Sequence, residues 1–236
     1  MVTFDPTHPG RSTDGFARSV HAVAGRAARL QRGAELVVER LEGCDHAAVT
    51  IATPEYVENG AASDDLVARA EAWQHDLSQG PALDVVLRRQ TIVSQELGPD
   101  RRWPSWAPKV AGVLGFGSVL SVLLYTDRET VGALTLYADR PLVWDDAQVE
   151  LAIVLAGHLA VAASDAHEIE NWGRAARSRT LIGQAEGILM ERLDLDADQA
   201  FGHLRRISQT THRKLLAVAH DVVETRRLPP PPSARP

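Results

Sequence analysis

Residues 178–224 read SRTLIGQAEGILMERLDLDADQAFGHLRRISQTTHRKLLAVAHDVVE, and their apolar spacing decides the C-terminal fold. Leu181, Ile182, Ala185, Ile188 and Leu189 recur at helical intervals, which predicts a helix with one apolar stripe. Asp196 stands at an N-cap position ahead of Ala197, Ala200, Phe201, Leu204 and Ile207, the stripe of a second helix. Thr211 is placed to cap a third, with Leu215, Val218, Ala219, Val222 and Val223 on one side. Three short stripes of this kind are buried only against one another, so a three-helix bundle is expected, with Leu189, Met190 and Leu204 in its core.

Positive charge gathers around these helices. Arg174, Arg177, Arg179 and Arg192 fall on the first, Arg205 and Arg206 near the end of the second, and Arg213 and Lys214 at the start of the third. Cations so placed can bind phosphates, although charge alone suits a solvated helical face as well. Gln184 and Ser208 add polar groups, and Ala185 and Gly187 are small enough to admit a packed helix or an RNA backbone.

The string Ile182-Gly183-Gln184-Ala185-Glu186-Gly187-Ile188-Leu189-Met190-Glu191-Arg192, followed by Ala200-Phe201, Leu204-Arg205, Ser208 and Arg213-Lys214-Leu215, resembles the ANTAR domain. That domain is a small three-helix RNA-binding module of bacterial antitermination regulators. The resemblance implies recognition of a paired stem-loop element with hexanucleotide loops in nascent transcripts, by a homodimer. The candidate RNA contacts are Arg174, Arg177, Arg179, Gln184, Gly187, Arg205, Ser208, Arg213 and Lys214. The chain departs from the family pattern at Glu186, where Lys is frequent, at His212, where Asn is, and at Leu216-Ala217.

Length and composition set the frame. With 236 residues, 44% of them apolar, the chain can bury two cores, and two domains are expected. Cys44 is its one cysteine, which excludes an intrachain disulfide and a cysteine-rich zinc site; a buried, small apolar role is expected. The net charge of −6 is uneven: residues 1–165 hold 14 basic against 22 acidic side chains, residues 166–236 hold 11 against 9. Indiscriminate coating of nucleic acid is therefore not expected, and the basic character lies in the C-terminal part. No run approaches the roughly 20 apolar residues of a membrane span, and MVTFDPTHPGRSTDG lacks a basic leader and an apolar core, so a cytoplasmic protein without a membrane partner is expected.

Upstream of the bundle, residues 1–13 are expected as a disordered tail. From Asp14 the spacing predicts a helix through Phe16, Val20, Val23, Ala27, Leu30, Ala34, Val37, Val38 and Leu41, stopping at Gly43. HAAVTIA (46–52) reads as a buried strand, and Tyr56–Ala61 as a weaker second one. Ser63-Asp64-Asp65 caps a helix with Leu66, Ala70, Trp73 and Leu77 on one face. Gly80-Pro81 starts another, with Leu83, Val86 and Leu87 inward. Thr91–Gln95 is a third strand, and a turn-rich loop over 97–105 leads to a short helix through Trp106 and Val110. SVLSVLLY (118–125) and TVGALTLY (130–137) form an antiparallel hairpin. Trp144-Asp145-Asp146 opens a long helix that runs, or bends near 164–171, to Leu193.

Interrupted strands with helices at both ends predict an α+β domain with an antiparallel sheet. Ser63-Asp64-Asp65-Leu66, Gln79-Gly80-Pro81-Ala82-Leu83-Asp84, Arg102-Trp103-Pro104, Gly117–Val122 and Gly132–Tyr137 resemble a GAF domain of the type found ahead of ANTAR modules. Many relatives carry Cys where this chain has Ala82, so no thiol signal is implied there. The expected division is a GAF-like sensor over 14–164, an ANTAR domain with its connecting helix over 165–227, and a disordered proline-rich tail over 228–236. The GAF part implies an unknown small-molecule or protein signal. Trp73, Trp103, Trp106, Tyr125 and Tyr137 are candidate pocket residues, with core packing as the plainer explanation.

Enzyme signatures do not emerge. The chain has no Gly-x-x-x-x-Gly-Lys loop, Gly-x-Ser-x-Gly elbow or His-Glu-x-x-His helix, and no catalytic residue, metal ligand or cofactor is expected; His46 and His75 are lone histidines. Two other readings stay open on the residues alone: a DNA-binding transcription factor using the three helices as a helix-turn-helix, and a dimeric protein-interaction sensor.

Overall fold

The computed structural model describes residues 13–53 and 57–226. The chain divides into two compact units with the boundary between Glu168 and Ile169. The first is built on five strands: β1 (His46–Ala52), β2 (Val57–Ala62), β3 (Ile92–Ser94), β4 (Ser118–Tyr125) and β5 (Thr130–Ala138). They pair in the order β2-β1-β5-β4-β3, every pair antiparallel.

Successive residues of a strand face opposite ways, and this alternation sorts the apolar residues into two cores. On one face Ala47, Val49, Ile51, Leu120, Val122, Leu124, Leu134 and Leu136 pack with residues of α1 (Thr13–His21), α2 (Arg26–Arg40) and the first part of α6 (Asp146–Leu193). On the other, Ala48, Val119, Ala133 and Tyr137 pack with α3 (Asp65–Leu77), α4 (Pro81–Arg88) and α5 (Trp106–Leu114). Burial on both faces is why these strands read as unbroken apolar runs. The α+β class with an antiparallel sheet is therefore as the sequence predicts.

The helix α6 runs without a break for 48 residues, of which 146–168 belong to the first unit. Part of it has a mean hydropathy of 1.5 and is long and apolar enough to cross a membrane by those measures, although polar residues interrupt its apolar runs. Ala152, Leu155, Ala156, Leu159, Ala160, Ala162 and Ala163 are buried in the first core.

Several local expectations are corrected. The single N-terminal helix is two: α1 ends at His21 and α2 starts after Gly25, whose φ of 88° is in the left-handed region that favours glycine. The inward face of α3 is Val67, Ala70, Glu71 and Gln74, whereas Leu66 is exposed; two polar residues turn inward because partners wait there. The α4 helix buries Pro81, Ala82 and Val85 and leaves Leu87 80% exposed. Its rotation is set at its N-terminus, where the Ala82 amide donates to Oε1 of Gln74 at 2.9 Å. The expected tails, apart from Thr13, which starts α1, lie outside the described residues, as do residues 54–56 before β2 and residue 227.

Candidate nucleic-acid interface

The second unit contains the C-terminal part of α6, then α7 (Ala197–Thr211) and α8 (Leu215–Thr225). Ala185, Leu189, Ala200, Leu204, Ile207, Val218, Ala219 and Val222 are buried together as its core. Met190 (37% exposed), expected in the core, and Phe201 (39%), expected in the second stripe, are corrections: both turn away from the centre of the buried arc of their helices.

Asp196 accepts the Gln199 amide at 2.8 Å while the Gln199 side chain accepts the Asp196 amide at 3.0 Å, a reciprocal capping box that starts α7. The other end departs from expectation. Thr211 is the last residue of α7, its hydroxyl donating to the Ile207 carbonyl at 2.7 Å, and the N-cap of α8 is Lys214. His212 turns the chain with φ 55°.

The candidate contacts form two groups. At the α7–α8 turn, Ser208 donates its hydroxyl to the Arg213 carbonyl at 2.6 Å and the Arg213 amide donates to the Ser208 carbonyl at 3.1 Å, so Ser208 shapes the turn that presents Arg213 and Lys214. The Arg213 guanidinium pairs with Asp221 at 2.7 Å along α8. Arg205 lies one turn before Ser208 on α7, exposed beside Arg206, an exposed cation outside the predicted contacts.

On α6, at about 100° per residue, Arg177 and Gln184 fall within about 20° of one another, Gly187 lies about 60–80° from them, and Arg179 lies about 80° beyond Gly187. All four are exposed. Arg174 donates to Oδ1 of Asn171 at 2.5 Å, and Arg192 donates to the Arg226 carbonyl. Among the described residues Arg177, Arg179, Arg205, Arg206 and Lys214 form no ion pair, which leaves their charge available to a polyanion. A side chain added at Gly187 would meet nothing within 4 Å, so helix packing does not account for that glycine. Ala185, by contrast, is a packing residue, fully buried in the bundle.

In the first unit the five candidate pocket aromatics do not converge. Trp103, Trp106 and Tyr137 are buried and pack into one cluster, with ring centroids 5.5 Å apart for the two tryptophans, which meet edge to face, and 6.4 Å for Trp106 and Tyr137. Trp73 is half-buried with Lys109 4.0 Å and Arg69 5.4 Å from its ring. Tyr125 is 52% exposed, beside a surface groove of about 590 Å³ that Ile153, Gly157 and Val161 of α6 also line.

Sequence reasoning missed the polar centre of this unit. Glu71 accepts hydrogen bonds from Tyr137 (2.7 Å), Thr50 (2.8 Å) and Gln74 (2.8 Å), all of them buried. Burial pushes the Glu71 carboxyl above its ordinary range, against the pull of those three donors. The signal was available in principle, since a Glu and a Gln three apart follow Ala70 on α3, but apolar periodicity does not register polar residues that face inward in pairs. Burial also pushes up the thiol of Cys44, which is inert in this setting. Among the described residues no group of three or more His, Cys, Asp or Glu side chains is placed to hold a metal ion.

Comparison with known proteins gives two family matches: a GAF domain over residues 24–163 and an ANTAR domain over residues 170–223. The fold is shared with the GAF domain of a phosphoenolpyruvate-protein phosphotransferase from Coxiella burnetii (TM-score 0.54, 15% identity, covering 67% of this chain and 94% of that one). It is shared as well with free methionine-R-sulfoxide reductase from Neisseria meningitidis (TM-score 0.52, 12% identity, 72% and 98%). Identities this low speak for the fold alone. No curated protein gives a significant match.

Proposed function

We propose, from the premise that this chain belongs to the GAF–ANTAR family, that it is a signal-responsive regulator that binds stem-loop RNA in nascent transcripts and prevents transcription termination. One observation carries the reading: the ANTAR match coincides with a three-helix bundle whose surface holds cations without internal partners. Positive charge supplies affinity for phosphates, and loop bases within reach of Gln184 and the α7–α8 turn supply specificity.

In this reading the sensor spans 14–164 and the RNA-binding part, with its connecting helix, 165–227. The protein acts in the cytoplasm, as a regulator rather than an enzyme. It works as a homodimer joined through the outer face of α6, where Ile153 (43% exposed), Val154 (45%) and Val161 (48%) flank Gly157 in a spacing suited to a helix pair. A signal at the GAF part shifts the population of α6 packing states, and the RNA-binding helices respond because α6 contributes to both units.

Competition between tandem hexaloop RNA and duplex DNA of equal length tests this. Salt-sensitive preference for RNA, lost on combined Arg205→Glu and Lys214→Glu substitution, is expected. Equal affinity for duplex DNA, or binding indifferent to the double substitution, would refute it.

A further inference from the structure

The imidazole of His46, the first residue of β1, lies between two carboxylates. Its Nδ1 is 2.6 Å from Oδ2 of Asp64 and its Nε2 is 3.0 Å from Oδ1 of Asp139. A carboxylate only accepts hydrogen bonds, so both contacts are made together only when both ring nitrogens carry protons, that is, by the imidazolium. A neutral ring would set one lone pair against a carboxylate oxygen.

The two carboxylates belong to different parts of the unit. Asp64 is the N-cap of α3: its Oδ1 accepts the amides of Leu66 (2.9 Å) and Val67 (3.1 Å), and its Oδ2 accepts from Ser63 (2.8 Å) as well as from His46. Asp139 follows β5, and its amide donates to Oδ2 of Asp45 at 2.9 Å. The ring therefore ties the first turn of α3 to the sheet and to the end of β5. The helix α3 is also the one that carries Glu71 and Gln74 into the buried network.

Charged and aromatic groups reach the ring from several elements. Asp64 from the α3 end and Asp139 from the β5 end act on its charge. Asp45, beside it in sequence, turns its carboxylate to the Asp139 amide, and the Cys44 thiol donates to the His46 carbonyl at 3.3 Å. The ring of Phe116 packs beside it, with its centroid 4.8 Å away. Burial of the ring, its side chain 15% exposed, works against the proton; the hydrogen bonds and charges of Asp64 and then Asp139 outweigh it and hold the group above its ordinary 6.5. The contribution of the clamp is thus complete below that value and disappears as pH rises through the folded-state value.

We infer that His46 is a proton-operated clamp on the first turn of α3, so that the GAF unit responds to pH: protonated, the ring holds the α3 cap in place, and deprotonated, it releases it. The inference rests on reading this unit as the sensor, and it identifies the proton as an input to it.

The test is a histidine-nitrogen NMR titration of the full chain without RNA, alongside hydrogen-exchange protection of the Leu66 and Val67 amides. Expected are two protonated nitrogens on His46 at low pH, a midpoint above 6.5, and loss of protection at those amides through that midpoint. Asp139→Asn, at a position whose side chain is 63% exposed, lowers the midpoint and moves the protection change to lower pH with it. His46→Gln makes the protection of α3 independent of pH. A midpoint at or below 6.5, or wild-type protection that tracks the His46→Gln variant at every pH, overturns the proposal. Because no RNA is present, such a failure leaves the RNA-binding reading standing, and a failure of RNA binding leaves this titration unaffected.

Discussion

Tyr137 on β5 donates its hydroxyl to Oε1 of Glu71 on α3 at 2.7 Å, with both side chains out of contact with water. Among the described residues no cation pairs with the carboxyl; Thr50 and Gln74 also donate to it. Since burial raises the folded-state value of Glu71, the group favours folding fully below its ordinary 4.5, and that contribution is lost as pH rises through the folded value. Glu71→Gln keeps an acceptor for Tyr137 and Gln74 and removes the charge. Urea unfolding from pH 4 to 8 is expected to show wild type losing stability relative to Glu71→Gln as pH rises. Glu71→Ala strands three buried polar groups and is expected to cost about 2–4 kcal/mol.

Gly187 separates stability from binding. Its position is open and helical, so Gly187→Ala is expected to stabilise the bundle by about 0.5–1 kcal/mol. If an RNA backbone approaches this surface, the added methyl obstructs it, and affinity for stem-loop RNA is expected to fall about tenfold, about 1.4 kcal/mol. Thermal unfolding and RNA titration of the same sample check both signs.

The capping box at Asp196 is local to the start of α7. Asp196→Ala is expected to cost about 1 kcal/mol, and Asp196→Ser most of a kcal/mol less, because serine supplies the same acceptor. Chemical denaturation of the isolated substitutions in the full chain measures the difference.

Val161 is 48% exposed on the outer face of α6. Val161→Asp is expected to leave the fold intact and to give a monomer in light scattering where the proposed homodimer is expected of the unsubstituted chain, because a charge at a helix-pair seam is desolvated without a partner. A dimer unchanged by this substitution would exclude the seam proposed for it.

How much of this was legible before the structure follows from what periodicity measures. The hairpin of β4 and β5 was plain, because two long, mostly apolar runs flank a four-residue turn, and so were the three helices of the bundle. The phase of α4 was not, since it depends on a hydrogen bond from Ala82 to Gln74, eight residues back. Nor was the break at Gly25: apolar residues continue in register on both sides of it, and only a backbone dihedral marks the interruption. Of the basic candidates, sequence could list Arg177, Arg179, Arg205 and Lys214 but not show that they carry no internal ion pair while Arg213 is bound to Asp221, a contact two turns along α8. The Asp64–His46–Asp139 arrangement joins residues 18 and 93 positions apart, beyond the reach of any local pattern.

Crosslinking the protein to nucleic acid in its own cells and sequencing what is recovered tests the central claim most directly. The account predicts RNA reads concentrated on paired stem-loops with hexanucleotide loops near terminators, with crosslinked peptides drawn from residues 174–214. Recovery of duplex DNA in place of RNA, or RNA without enrichment of such stem-loops, would contradict it.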